Sequence, residues 1–340
     1  IVLGFIPQHA SFFHFQAQIL SKIYMAFTHL YLTTDTHIIL TGHVTEQQVN
    51  WIKLFTTLPL QIVNLKSNTM RLDSVNSPDL PTGDKAWAYE SVSVVRFSDW
   101  FDDGFFILHL QYRPHFFLSA YADFLHVRTG TRKRTLIPEV RPKLKVVYIW
   151  REPDVSAPNR FARQVVNQQQ FIDVMGRMEN VDFNVIRGET KSPKNQLQMM
   201  EDAGILISVH GAGLANMLFL PKCAAIIELF PANSNLSQHP ANTFPNLAHM
   251  SGKIYFPYIS SHDYKTTPPT SHLVDIRRRS TFVVIDEFLE LFKRVKTAVE
   301  LGCEGETPAW GVESVRMNWG SNKFAEEIDE EIENGKKEAE

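Results

Sequence analysis

Hydrophobic and polar positions alternate regularly along the first half of the chain. Short apolar runs predict strands, and longer stretches with apolar residues three or four positions apart predict helices. In chain order these elements are a strand at 2–6, a helix at 15–31, a strand at 37–40, a helix at 46–54 and a strand at 60–65. This order predicts parallel β-α-β units.

The second half repeats the alternation. Strands are predicted at 145–150, 182–186, 205–209 and 224–229, with helices at 168–177, 192–203 and 286–301. The last helix has one apolar face, formed by Phe288, Leu291, Phe292 and Val295. Together the two halves predict an α/β fold of two Rossmann-like domains.

Three segments interrupt this pattern. Residues 67–85 are rich in Asn, Ser, Asp, Pro and Gly, which predicts a loop. Residues 128–145 combine basic side chains with prolines and a glycine, and we interpret them as the interdomain linker. The chain ends in an acidic stretch. The predicted organisation is an N-terminal domain at 1–135, a C-terminal domain at 136–305 and an acidic tail at 306–340.

The most informative segment is the glycine turn at 210–221. It directly follows the apolar run 205–209, so a buried strand is predicted to turn through Gly211 and Gly213 into a helix. Glycines let backbone N–H groups approach a ligand closely, and a helix N-terminus carries partial positive charge. The turn is therefore a candidate phosphate site, with Gly213 expected against the phosphate. Glu228, near the end of the next strand, is the predicted ribose ligand.

Three other interpretations compete for this turn. A glycine turn between a strand and a helix can serve tight packing alone. The string His-Gly-Ala-Gly is also typical of lipase oxyanion loops, but the chain has no G-x-S-x-G elbow. A dinucleotide fingerprint would place a third glycine where Asn216 stands, and it would open its domain rather than lie deep in the chain.

Composition narrows the class of partner. The formal net charge is −3, with an acidic excess in the tail from Glu326 to Glu340, so the chain lacks the basic footprint of a nucleic-acid-binding protein. The two cysteines, Cys223 and Cys303, exclude a disulfide framework and a cysteine metal cluster but leave one bridge possible. The apolar start, 1–6, is too short for a signal peptide or a membrane span, and we interpret the chain as a domain of a longer protein. One glycosylation sequon begins at Asn235.

Several motifs together resemble one known family. They are the strand 146–150 ending in Arg151, the R-x-V-x-N segment 163–167, the string H-G-A-G-L-A-N followed by M-L-F-L-P, and I-E-L at 227–229. This set resembles the signature of glycosyltransferase family 61, which includes plant xylosyl- and arabinosyltransferases and animal protein O-linked N-acetylglucosaminyltransferases. The likeness is specific over about 145–260. It implies a GT-B architecture, in which two Rossmann-like domains face a cleft.

The resemblance also implies roles for individual residues. Arg151 and Arg163 are the candidate diphosphate ligands, because arginine presents a rigid fork to phosphate oxygens, with a surface salt bridge as the alternative. His210 either contacts the donor or supports the turn, and Glu228 either binds ribose or bonds a neighbouring helix N-terminus. The complete candidate nucleotide-binding set is Arg151, Arg163, His210, Gly211, Ala212, Gly213, Leu214, Asn216 and Glu228.

His14 is the candidate catalytic base for the acceptor hydroxyl, because it resembles the family's early aromatic-plus-histidine segment. A histidine held in the core is the alternative reading, and Glu90 and Asp99 are other possible bases. Asp102-Asp103 does not form a D-x-D motif, and the Asp-Gly pair that follows predicts a turn. We therefore predict no catalytic metal and no cofactor, with the UDP-sugar acting as donor substrate.

The expected function is that of an inverting, metal-independent glycosyltransferase that moves xylose, N-acetylglucosamine or arabinose from a UDP-sugar to a glycan or glycoprotein acceptor. The alternatives are an NAD-dependent oxidoreductase that uses the same glycine turn and a non-catalytic, lectin-like relative. The resemblance implies a location in the Golgi or endoplasmic reticulum lumen, with a membrane anchor outside this chain. No nucleic-acid partner is expected.

Overall fold

The structure is a computed structural model, and the chain forms two compact units. The first unit is Ile1–Arg132 with Thr190–Gln198, and the second is Lys133–Glu189 with Met199–Glu340. The residues that the structure describes are 2–5, 15–20, 24, 38–42, 44–54, 60–64, 71–74, 94–95, 114–131, 143–151, 163–187, 192–234, 236, 243–262 and 279–301.

The first unit contains a five-stranded sheet of order β4-β3-β2-β1-β5. Its strands are β1 (Val2–Phe5), β2 (Ile38–Gly42), β3 (Leu60–Asn64), β4 (Arg71–Ser74) and β5 (Val94–Val95). β1 pairs in parallel with β2 and β5, and β2 pairs in parallel with β3, which confirms the predicted parallel strands. β4 lies inside the segment predicted to be a loop and pairs antiparallel with β3, so the loop prediction is wrong there. Its polar sequence suits the edge of a sheet, where pairing with one neighbour suffices.

Within Ile1–Arg132, the described helical segments are a π-helical turn (Phe15–Leu20), α1 (Glu46–Ile52) and α2 (Pro114–Thr129). α1 begins with a capping box: the hydroxyl of Thr45 accepts from the N–H of Gln48, and the side chain of Gln48 accepts from the N–H of Thr45. This reciprocal pair satisfies two donors that a helix start would otherwise leave unpaired.

The second unit contains a five-stranded sheet in which every pairing is parallel, of order β10-β9-β8-β6-β7. Its strands are β6 (Leu144–Trp150), β7 (Val181–Arg187), β8 (Ile205–Val209), β9 (Ala225–Phe230) and β10 (Ile254–Ile259). Every residue of β8 and β9 is buried, because helices cover both faces of a parallel sheet. The continuous apolar runs in the sequence therefore gave the right strands.

Helices of the second half are α3 (Gln168–Gly176), α4 (Pro193–Met200), α5 (Thr243–Met250) and α6 (Ile285–Leu301), with a 3₁₀ helix at Ala212–Phe219. α6 buries Phe288, Phe292 and Val295 in the core of the second unit, which confirms its predicted apolar face. Across the ranges described, no helix combines the length and the apolar character needed to cross a membrane.

The strand order of the second sheet defines where a ligand would bind. β6 is followed in sequence by β7 on one side, and the chain then crosses to β8 on the other side of β6. Open α/β sheets bind ligands beyond the carboxyl ends of the strands at such a reversal of strand order. The carboxyl ends of β6 and β8 therefore form the candidate switch-point site.

Cys223 lies far from the carboxyl ends of the strands, in the turn before β9, and it is disulfide-bonded. The chain's other cysteine, Cys303, lies outside the described residues. A disulfide stabilises a fold mainly by restricting the unfolded chain, typically by about 2–4 kcal/mol. We predict that Cys223→Ser lowers the free energy of unfolding by about that amount, measured by urea denaturation. Wild-type protein in reducing buffer should show the same loss, whereas an unchanged urea midpoint in both would contradict the prediction.

Candidate functional site

Gly211 is the residue around which the switch-point site is organised. It follows His210 at the end of β8, with φ 156° and ψ 178°, a backbone conformation that is essentially restricted to glycine. A Cβ at this position would lie 2.6 Å from Nη1 of Arg151 and 3.4 Å from Nη1 of Arg163. The Cα of Gly211 is therefore in close contact with both guanidinium groups, and only glycine leaves room for them.

Arg151 reaches this point because it directly follows β6, the strand beside β8. Arg163 comes from a loop segment, and its Nη1 donates to the carbonyl of His210 at 3.0 Å. We call Arg151 and Arg163 the arginine pair. Both side chains are half-buried. Guanidinium groups present fork-shaped sets of N–H donors that suit phosphate oxygens, and here two of them lie against one glycine.

The R-x-V-x-N segment has a structural explanation. Val165 forms a parallel bridge with Thr281, and its side chain is buried in the core of the second unit. Asn167 anchors the end of the segment to Val283: its side chain donates to the carbonyl of Val283 at 2.8 Å and accepts from the N–H of Val283 at 2.9 Å. These contacts fix the backbone of the segment. Arg163, at its start, is thereby positioned so that its guanidinium group reaches the carboxyl end of β8.

Gly213 has a different role from the one expected of it. A Cβ on Gly213 would lie 3.2 Å from Cγ2 of Ile149, a buried residue of β6. Its small size therefore allows the 3₁₀ helix to pack closely on the sheet. The expectation that a side chain at Gly213 would project into the phosphate site is revised: it would project into the core, and Gly211 is the glycine beside the arginine pair.

The rest of the turn is built from its own hydrogen bonds. The N–H of Leu214 donates to the carbonyl of Gly211 at 3.0 Å, and Nδ2 of Asn216 donates to the carbonyl of Gly213 at 2.9 Å. Leu214 is fully buried, so its side chain belongs to the core. Ala212 and Gly213 are half-buried, which leaves the start of the 3₁₀ helix as the accessible part of the turn. The predicted helix is present, but in the tighter 3₁₀ form.

His210, Glu228 and Tyr255 form a buried hydrogen-bonded cluster next to the turn, which we call the buried triad. Nδ1 of His210 lies 2.5 Å from Oε1 of Glu228, and the hydroxyl of Tyr255 donates to Oε2 of Glu228 at 2.5 Å. Burial raises the pKa of the Tyr255 phenol well above its ordinary value, and the charge of Glu228 raises it further, so Tyr255 stays a proton donor.

Register explains why these three residues meet. Glu228 on β9 is paired with Ser208 on β8 and with Pro257 on β10. His210 is two residues after Ser208, and Tyr255 is two residues before Pro257, so all three side chains lie on the same face of the sheet. Phe244 of α5 packs edge-on against the His210 ring, with centroids 5.2 Å apart.

The burial of Glu228 bears on its predicted role. Its exposed fraction is 0%, and both of its oxygens accept hydrogen bonds from protein groups. This geometry favours support of His210 over the predicted ribose contact. Tyr255 is the member of the buried triad that the sequence did not single out, because its approach to Glu228 depends on the pairing of β10 with β9. An aromatic residue in an apolar strand carries no local sign of that contact.

The remaining candidates lie elsewhere. His14, the predicted base, and its alternatives Glu90 and Asp99 are outside the described residues. Among the residues that are described, no group of three His, Cys, Asp or Glu side chains is arranged to hold a metal ion. The acceptor side of the reaction therefore stays a prediction.

Comparison with known proteins gives a consistent picture. The sequence profile of the family described as Glycosyltransferase 61 matches residues 12–227, which extends the likeness well upstream of the motifs. The chain is 30% identical over 124 residues to the EGF domain-specific O-linked N-acetylglucosamine transferase of Drosophila melanogaster, covering 36% of this chain and 21% of that protein. It is also 30% identical over 89 residues to the protein O-linked-mannose beta-1,4-N-acetylglucosaminyltransferase 2 of Danio rerio, covering 26% of this chain and 15% of that protein. The matched stretches thus span about a fifth or less of the length of these relatives.

Proposed function

This chain belongs to glycosyltransferase family 61, and we propose that it transfers a sugar from a UDP-sugar to an O-linked glycan or glycoprotein. The second unit binds the nucleotide diphosphate at the carboxyl ends of β6 and β8. The arginine pair around Gly211 is the observation that carries this proposal, because it places two fork-shaped cations at the topological switch point of the sheet.

The arginine pair also supports a metal-independent mechanism. A leaving diphosphate needs positive charge near its oxygens, and preorganised cationic donors supply this without a metal. The attacking acceptor hydroxyl then displaces the diphosphate in line and inverts the anomeric carbon, while a base on the acceptor side removes the hydroxyl proton. His14 is the proposed base. In this proposal the first unit binds the acceptor, and the two α/β units form a GT-B arrangement.

The relatives support N-acetylglucosamine as the leading donor sugar, since both are named for its transfer. Xylose and arabinose are the other donor sugars that the proposal admits. The proposed location is the lumen of the Golgi or endoplasmic reticulum, through a membrane anchor outside this chain. The disulfide bond of Cys223 supports an oxidising compartment of this kind.

Calorimetric titration with UDP tests the nucleotide site. We predict that UDP binds in buffer containing EDTA, with an affinity that added magnesium or manganese leaves nearly unchanged, because the arginine pair provides the positive charge. A folded protein that fails to bind UDP, or that binds it only with a divalent ion, would contradict the proposed mechanism. Displacement of UDP by NAD would instead support the oxidoreductase alternative.

Turnover tests the transfer itself. We supply either an O-mannosyl glycopeptide or an EGF domain as the acceptor. In its presence, we expect more UDP release from UDP-N-acetylglucosamine than from UDP-xylose or UDP-arabinose. Binding of UDP without turnover of any of the three donors would identify a non-catalytic relative. NMR of the product's anomeric proton distinguishes inversion from retention of configuration.

A further inference from the structure

The geometry points to Tyr255 and Glu228 as a positioning pair that fixes the His210 ring so that its Nε2–H donates to the diphosphate of the bound donor. This inference rests on the proposed function and adds to it two positioning residues and a third hydrogen-bond donor to the diphosphate, beside the two arginines. It arises from the buried triad, in which a carboxylate with zero exposure lies between a phenol and an imidazole.

The hydrogen bonds determine which nitrogen of His210 is available. Both oxygens of Glu228 act as acceptors, one from the Tyr255 hydroxyl and the other from Nδ1 of His210. Nδ1 therefore carries a proton. Nε2 makes no hydrogen bond with any residue that the structure describes, and it is the ring nitrogen left for a ligand.

The direction of Nε2 follows from the position of Glu228. Glu228 lies within β9, so Nδ1 faces this buried carboxylate and Nε2, on the other side of the ring, points away from it. His210 itself lies at the carboxyl end of β8, and its carbonyl accepts from Arg163. The backbone of His210 is thus in contact with the arginine pair, and Phe244 and Phe230 lie near the ring and limit its rotation.

Donation from Nε2 requires that the ring carry a proton on each nitrogen. In this proposal the ring lies between two anions, the Glu228 carboxylate at Nδ1 and the diphosphate at Nε2, each of which accepts one of these hydrogen bonds. As the sugar is transferred, the electron pair of the broken bond stays on the diphosphate oxygen, and the Nε2–H donates to the developing negative charge. The acceptor oxygen forms the new bond to the anomeric carbon, and its proton goes to the base. His210 keeps its own protons throughout.

Tyr255→Phe is the sharpest test, because it removes a single hydroxyl that is remote from the ligand. Tyr258→Phe is the matched control on the same strand, where the hydroxyl bonds the backbone of Val284 and takes no part in the buried triad. The probe is UDP, and the readout is the pair of ring ¹⁵N signals of His210 in ¹⁵N-histidine-labelled protein. In the wild type we expect a protonated Nδ1 and an Nε2 signal that moves when UDP is added.

Tyr255→Phe should weaken UDP binding by about threefold to tenfold and reduce the UDP-dependent shift of Nε2, whereas Tyr258→Phe should change neither. Glu228→Gln, which keeps the size of the side chain and removes its charge, should weaken UDP binding by about tenfold. If wild-type protein binds UDP and the Nε2 signal does not move, the positioning inference is overturned while the nucleotide site stands. If wild-type protein does not bind UDP, the proposed function itself fails.

Discussion

A Gly211→Ala variant will fold and will bind UDP at least about a hundredfold more weakly than the wild type. The added methyl group would lie 2.6 Å from Nη1 of Arg151 and 3.4 Å from Nη1 of Arg163. The ends of these flexible side chains move aside at little cost to the fold, but both then leave the ligand. Each lost charge-assisted hydrogen bond costs about 1.5–3 kcal/mol, so losing two accounts for the expected decrease. The glycine-only backbone conformation adds strain of about 1–3 kcal/mol.

Gly213→Ala is the matched control, since it adds the same methyl group two residues away. That group would lie 3.2 Å from Cγ2 of Ile149, so we expect a stability loss of about 1–3 kcal/mol from overpacking. UDP affinity should fall far less than in Gly211→Ala. Thermal denaturation and calorimetric titration of both variants measure the two effects separately. The opposite pattern, with UDP affinity lost only in Gly213→Ala, would restore Gly213 as the glycine at the phosphate.

Replacing both members of the arginine pair with alanine is expected to abolish measurable UDP binding. Arg163→Ala alone should cost about 1.5–3 kcal/mol of binding free energy, and Arg151→Ala a similar amount. Arg163 also donates to the carbonyl of His210, so its loss loosens the turn that holds Gly211. Arg163→Lys keeps the charge but removes the fork, and it should recover only part of the affinity.

Arg177→Ala is the charge-matched control for these variants. Arg177 follows α3 in the same unit and is exposed. Its replacement by alanine removes one positive charge from the protein, as Arg163→Ala does. It should leave UDP affinity unchanged within error. If Arg177→Ala weakens UDP binding as much as Arg163→Ala does, the effect comes from the overall charge of the protein, and the arginine pair is not the diphosphate site.

The strands and the glycine turn are largely local properties. β6, β8 and β9 lie largely in the core, so each is a mostly apolar run that its sequence alone identifies. The turn after β8 was likewise visible as two glycines following such a run. β4 was missed because its sequence is polar and its pairing with β3 is what makes it a strand. The spacing of apolar residues and the composition predict a strand or helix well when most of its own side chains are apolar and buried in the core.

The sequence by itself determined the family, the parallel α/β character of both halves and the glycine turn with its candidate residues. Only the tertiary structure decided how those residues are used. Arg163 meets the carbonyl of His210 across 47 positions of the chain, and Tyr255 meets Glu228 across 27. Thr190–Gln198 likewise belongs to the first unit although it lies within the second half of the sequence, so this assignment also depends on contacts between distant residues. Such contacts follow from strand order and register, which depend on packing summed over the whole sheet. The residues next to each partner in the sequence therefore do not predict these contacts.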